Sequence, residues 1–288
     1  MRGGCESEKG FSLIELMVSI GIIALLMAIL YPALFKARQQ ARVLLSKNNL
    51  RQVASGVTLY SADNFDLYPN SVATIGKNNN WNWQSPMVMT SIESHAPQLH
   101  RAMSEYLGGY ISDASIMFCP SSPQEYTYLQ EAWDAGDAWN NPDTWLLKDW
   151  VKGTYCFYWN YTGLLEKGLF NGPHSPDGTS GESNLLATCY FGYDLYRSED
   201  SYGCCNRFSG ASITDEERAS SAYWSCESSE SVNLNTIKVS PQACFTDGHV
   251  ESYTATEAVR MKVIKDRFTL APYTYGPGDY FLPQKSLR

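Results

Sequence analysis

Glu15 is the one charged residue in the 25-residue run from Phe11 to Phe35. A lone carboxylate inside an apolar segment costs on the order of 2.5 to 3.5 kcal/mol on insertion scales, so its presence calls for a partner. Further along, Asp134, Asp137, Asn140 and Asp143 recur at a spacing of three. Hard cations such as calcium take several oxygens of this kind. No EF-hand spacing accompanies them, so a calcium site at Asp134, Asp137 and Asp143 competes with a plain solvated acidic loop. Four histidines (His95, His100, His174 and His249) and many serines lack the G-x-S-x-G, H-E-x-x-H or phosphate-binding glycine frame that would organise catalysis. No C-x-x-C is present, and the vicinal pair Cys204-Cys205 suits tetrahedral zinc poorly. The chain is therefore expected not to be an enzyme, and to need no cofactor unless the acidic loop takes calcium.

The element that carries Glu15 is long enough to cross a hydrocarbon core, which needs roughly 20 apolar residues. A cleaved secretory signal usually has an apolar region of only 7 to 15 residues with its cleavage site beyond it. A plain signal anchor fits on length and hydropathy alone. Beyond the run, no proline or paired glycine interrupts residues 36–64. Val43, Leu50, Val53, Val57 and Tyr60 follow at spacings of seven, three, four and three, one apolar stripe on a continuing helix. Pro32 and Gly21 are the expected bends of that helix.

Gly10-Phe11-Ser12-Leu13-Ile14-Glu15 resembles the start of the type IV pilin family, which includes the pseudopilins of type II secretion. Members carry a short polar leader ending in Gly, then Phe, then Glu at the fifth mature position, ahead of an unbroken apolar helix. Pro32 falls at mature position 22, where the family often has a proline. The resemblance implies cleavage between Gly10 and Phe11 by a prepilin peptidase, methylation of the new amine, and filament assembly through Glu15 and Pro32. In that scheme Glu15 pairs with the Phe11 ammonium of its own chain or of a neighbour. Small residues Ser19, Gly21, Ala24 and Ala28 permit close helix approach. Implied partners are the peptidase, copies of this chain, other pilin-like subunits and an inner-membrane assembly machinery. Basic residues after the span would place the C-terminus inside by the positive-inside rule. The resemblance implies the opposite: a single-pass inner-membrane protein with its head in the periplasm, later in a periplasmic or extracellular filament.

Four segments are expected: a leader over 1–10, a transmembrane half-helix over 11–35, an amphipathic stem over 36–64 and an exported head over 65–288. The leader is neutral. The helix through Asn64 sets Lys36, Arg38, Arg42, Lys47 and Arg51 against Glu15 and Asp63, so the head holds the acidic excess behind the net charge of −8. An acidic head without a basic face is a poor nucleic-acid binder. Aromatic content of 13% argues for a packed core. An exported head makes Cys119, Cys156, Cys189, Cys204, Cys205, Cys226 and Cys244 disulfide candidates, an odd number once the leader removes Cys5.

In the head, Ile116–Pro120 reads as a short strand, residues 130–150 as a loop with a helical turn, and Thr154–Tyr161 and Ala187–Tyr196 as strands. Residues 172–184 read as a loop, and Ala243–Thr254 as a hairpin turning at Asp247-Gly248 through a type I′ turn. Asp247-Gly248-His249-Val250 also resembles the end of a C-terminal motif in a pilin-like subfamily. Ile237 stands where that motif has a histidine, so Asp247 and His249 read as turn formers. The fold class is α+β: a long N-terminal transmembrane-and-stem helix packed on a small antiparallel sheet, with a loop-rich pilin-like head. The expected function is a structural subunit of a type IV pilus-like or type II secretion pseudopilus filament. The alternative is a signal-anchored periplasmic binding or enzymatic domain that does not polymerise.

Overall fold

A computed structural model describes residues 12–73, 85–90, 102–120, 129–139, 151–193, 234–236, 239–266, 271–272 and 279–287. The chain divides into two compact units, one reaching through Arg42 and the other beginning at Val43. Helix α1 (Leu13–Asp63) supplies all the described structure of the first unit except Ser12, and supplies the stem of the second. Pro32 sits inside it without ending it.

In the second unit the predicted stripe is the buried face. Leu50, Val53 and Val57 are fully buried, and Val43 and Tyr60 pack at the edge of the core. Each fully buried aliphatic side chain contributes about 1.5 to 3 kcal/mol. Gly56 lies on the same face, where an added Cβ would come within 2.8 Å of the Ile111 side chain. Ser46 Oγ lies 2.9 Å from the Tyr155 hydroxyl, and Asn49 Nδ2 donates to the Phe118 carbonyl at 3.0 Å. These bonds register the stem against the head.

The stem ends in an unusual cap. The Asp66 N–H donates to the Ser61 carbonyl at 2.9 Å, the six-to-one bond of a Schellman motif. That geometry puts Phe65 at the left-handed position usually filled by glycine, with φ 58°, and Asp66 follows with φ 58°. A side chain with a Cβ there costs roughly 1 to 2 kcal/mol.

Among the described residues the other α-helices are short: α2 (Ser104–Leu107) and α3 (Leu129–Ala135). The strands are β1 (Val88–Thr90), β2 (Val151–Lys152), β3 (Tyr155–Phe157), β4 (Thr162–Leu165), β5 (Leu169–Asn171), β6 (Leu185–Cys189), β7 (Gly192–Tyr193), β8 (Gln242–Phe245), β9 (Val250–Ser252), β10 (Ala258–Lys262), β11 (Ile264–Asp266), β12 (Ala271–Pro272) and β13 (Asp279–Pro283). One sheet has the order β3-β6-β8-β9 and another β5-β4-β10-β13-β7, and all these pairings are antiparallel. Two-stranded ribbons join β1 to β2 and β11 to β12. The α+β class holds, with a head richer in sheet than one small sheet.

Local differences have local causes. Ala114–Met117 is a 3-10 turn where a strand is expected, because Asp113 caps it by accepting from the Ser115 N–H at 2.8 Å. The run Thr154–Tyr161 is strand only over β3, since Asn160 adopts φ 52° and turns the chain. Over residues 187–193 the expected strand splits into β6 and β7, and residues 194–196 lie outside the described residues. The expected hairpin forms from β8 and β9, but its turn is not type I′: positive φ is confined to Gly248 at 79°. Gly248 N–H donates to the Phe245 carbonyl and Phe245 N–H to the His249 carbonyl, closing a three-residue loop with glycine at its left-handed position.

Residues 172–184 form the expected loop, organised by Glu182. Its carboxylate accepts from the His174 and Thr179 N–H groups and the Thr179 hydroxyl, and lies 2.9 Å from His174 Nδ1. Gly172 enters this loop where a Cβ would stand 1.6 Å from the Tyr158 carbonyl oxygen. Only glycine fits there. The aromatic run is core: Tyr155, Tyr158, Trp159 and Tyr161 are all buried.

Candidate functional site

The α1 N-terminus is where residue type and geometry meet. Ser12-Leu13-Ile14-Glu15 has the S-x-x-E spacing of a capping box. The Glu15 carboxylate turns back and accepts from the Ser12 N–H at 2.9 Å, while the Ser12 carbonyl accepts the first helical bond from Leu16 N–H at 3.2 Å. A helix start leaves its first N–H groups without intrahelical partners, and an anion there also meets the positive end of the helix dipole. Glu15 thus satisfies one of these donors within its own chain. The S-x-x-E spacing itself carried this signal, and the charge argument alone passed over it. Ser19 Oγ donates to the Glu15 carbonyl at 2.7 Å, which hides its polar group against the helix backbone.

On both sides of Glu15 the helix presents bare apolar surface. Leu13 is 74% exposed and Phe35 63%, with Ile14, Leu16, Met17, Ile22, Leu26 and Tyr31 all exposed between them. A contiguous apolar surface of this extent needs lipid or other chains to cover it. By length and composition, α1 is the one helix among the described residues suited to crossing a membrane. A Cβ at Gly21 would meet nothing within 4 Å, so this face is open to close approach by another helix. Pro32 lacks the N–H that would bond the Ala28 carbonyl, leaving an acceptor inside the apolar segment.

Other sequence candidates are placed as follows. Asp137 Oδ1 accepts from the Ala102 N–H at 2.6 Å, and Asp134 Oδ1 accepts from Gln130 Nε2 at 2.8 Å. Both carboxylates thus organise the α2 and α3 region, and among the described residues no three His, Cys, Asp or Glu side chains gather as metal ligands. Cys119, Cys156, Cys189 and Cys244 are all buried. Cys156 and Cys244 are free thiols rather than halves of disulfides. Cys156 stands opposite Thr188 and Cys244 opposite Ala187 in the four-stranded sheet, so neither faces a sulfur across its strand pair. Burial pushes the Cys156 thiol well up and raises Cys244 to about 12. His249 stacks on Phe245 at 4.4 Å and its ring nitrogen contacts the Asp247 carboxylate, so this pair builds the turn. Gly10, Phe11, Asp143, Cys204, Cys205 and Cys226 lie outside the described residues.

Residues 7–31 match the family model described as the prokaryotic N-terminal methylation motif. Over 66 residues the chain is 34% identical to the type II secretion system core protein G of Pseudomonas aeruginosa, an alignment covering 23% of this chain and 46% of that protein. Over 70 residues it is 39% identical to the type IV wide pilus major component PilA4 of Thermus thermophilus, covering 24% of this chain and 53% of that protein. The chain spans about half the length of the curated relatives it matches. No solved structure matches it. Its N-terminal region is thus pilin-like and pseudopilin-like, and the resemblance read from Gly10 to Glu15 is borne out.

Proposed function

We propose that this chain is a structural subunit of a type IV pilus-like or type II secretion pseudopilus filament. The observation that carries the reading is the coincidence of the methylation motif with an exposed apolar half-helix holding one carboxylate near its start. A precursor held in the inner membrane is cut before Phe11 by a prepilin peptidase and methylated on the new amine. The head then lies in the periplasm. On leaving lipid, the exposed face of α1 is covered by the equivalent helices of neighbouring subunits, where close packing and polar pairing drive association. Cleavage leaves the Phe11 ammonium two residues before a helix whose first donor is already capped by Glu15. A neighbour's ammonium, or the chain's own, then neutralises this carboxylate.

Intact-mass analysis of the protein extracted from membranes tests the first step. Loss of residues 1–10 with one added methyl is expected. A full-length mass in cells with an active peptidase favours instead a signal-anchored head that never polymerises.

A further inference from the structure

Phe65 contradicts the economy of the rest of the head. It occupies the left-handed position of a Schellman cap, where glycine fits without strain, and it is 95% exposed, more than any other large apolar residue among those described. The fold enforces this conformation, with Tyr68 buried just beyond it and its N–H on the His174 carbonyl, yet a ring so exposed packs on little of the described fold. Leu67 beside it is 54% exposed, and Asp63 and Asp66 flank it with negative charge. Backbone strain held at an exposed anchor residue marks a contact made with something else.

The same helix carries a complementary surface. Leu44, Lys47, Asn48 and Arg51 lie at i, i+3, i+4 and i+7, one face of α1, with Leu44 66% exposed and Arg51 exposed. Between Lys36 and Arg51 the chain has five basic residues and no acidic one. An apolar seat beside two cations matches an aromatic anchor beside two carboxylates, and arginine also favours the face of an aromatic ring. Phe65 cannot reach Leu44 of its own chain, since 21 residues of helix separate them by about 30 Å. A second copy, parallel and displaced by roughly 20 to 30 Å along the axis, brings the two surfaces together.

We infer that the Asp63–Leu67 cap docks through Phe65 onto the Leu44–Lys47–Arg51 face of a second copy of this chain. The contact rests on the filament reading for its parallel stagger, and sets the axial register between subunits.

The test uses the full-length chain in its native cell. A variant carrying both Asn48→Cys and Leu67→Cys, which leaves Phe65 and Leu44 in place, is treated with a bis-maleimide and is expected to yield an intermolecular dimer beyond that of either single variant. Phe65→Gly is expected to melt no lower than the parent while its recovery in sheared filaments falls at least tenfold. Arg51→Glu combined with Asp66→Lys is expected to recover more filament than either change alone. No dimer beyond the single-variant background, or Phe65→Gly recovered at the parental level, overturns the contact. So does a lowered melting temperature for Phe65→Gly, since it assigns the residue to the fold. Absence of the parent chain from sheared filaments refutes the filament reading instead, and the membrane cross-link then still decides the contact.

Discussion

Ser12 and Glu15 form one closed unit at the head of α1, the backbone N–H of the first donating to the carboxylate of the second at 2.9 Å. The acid therefore has two separable properties: it accepts a hydrogen bond at the helix start, and it carries charge. Glutamine at this position of a capping box retains the first and lacks the second. Glu15→Gln and Glu15→Ala are both expected to be processed before Phe11, and both to lose incorporation into filaments by tenfold or more. Incorporation of Glu15→Gln at the parental level would show that capping suffices and that no ion pair is needed.

Gly172 is the most constrained backbone position described. Its Cβ would stand 1.6 Å from a backbone oxygen that no rotamer change can move, whereas a Cβ at Gly109 meets nothing within 4 Å. Gly172→Ala is expected to destabilise the head by about 3 kcal/mol or more, and Gly109→Ala by well under 1 kcal/mol. Thermal melting of both variants in detergent checks this. Equal melting temperatures would contradict the packing of the 172–184 loop on the Tyr158 turn.

Acid should weaken the head. For Glu182 and Asp247, burial raises the carboxyl, but hydrogen bonds from Thr179 and His174, and from His249, outweigh it and hold both below the usual range. Hydrogen bonds from Ser115 and Thr254 lower Asp113 and Glu257. A carboxylate whose folded pKa is depressed contributes stability above its unfolded value of about 4 and loses it as pH falls through the folded value. The urea midpoint should thus hold near neutrality and drop below pH about 4, with a smaller drop for Glu182→Gln. A midpoint that rises on acidification would reverse the sign.

The buried thiols make a chemical prediction. With Cys244 raised to about 12 and Cys156 higher, almost none of either is thiolate at pH 8, and the thiolate is the nucleophile. Iodoacetamide should leave both unlabelled in the native protein and label both in denaturant without reductant. Failure to label in denaturant until a reductant is added would mean that they are disulfide-bonded.

Much of the assembly segment was legible in the sequence because its signals are local. An unbroken apolar run, one acid at a fixed offset and an S-x-x-E spacing each depend on neighbours within a turn or two of helix. The stem stripe was legible for the same reason, since Leu50, Val53 and Val57 share a face by spacing alone.

Tertiary structure decided the rest. That Thr154–Tyr161 is mostly core rather than one long strand follows from Asn160 turning the chain back beneath residues 172–173, a contact between distant segments. That Asp137 accepts from the Ala102 N–H depends on how residues 136–138 lie against residue 102, whereas the Gln130–Asp134 bond is local to α3. The cap at Phe65 was hidden because its sequence offers no glycine to announce a left-handed residue. Propensity and periodicity report what a segment prefers by itself, while burial, steric exclusion at Gly172 and the strain at Phe65 arise only when remote segments are packed together.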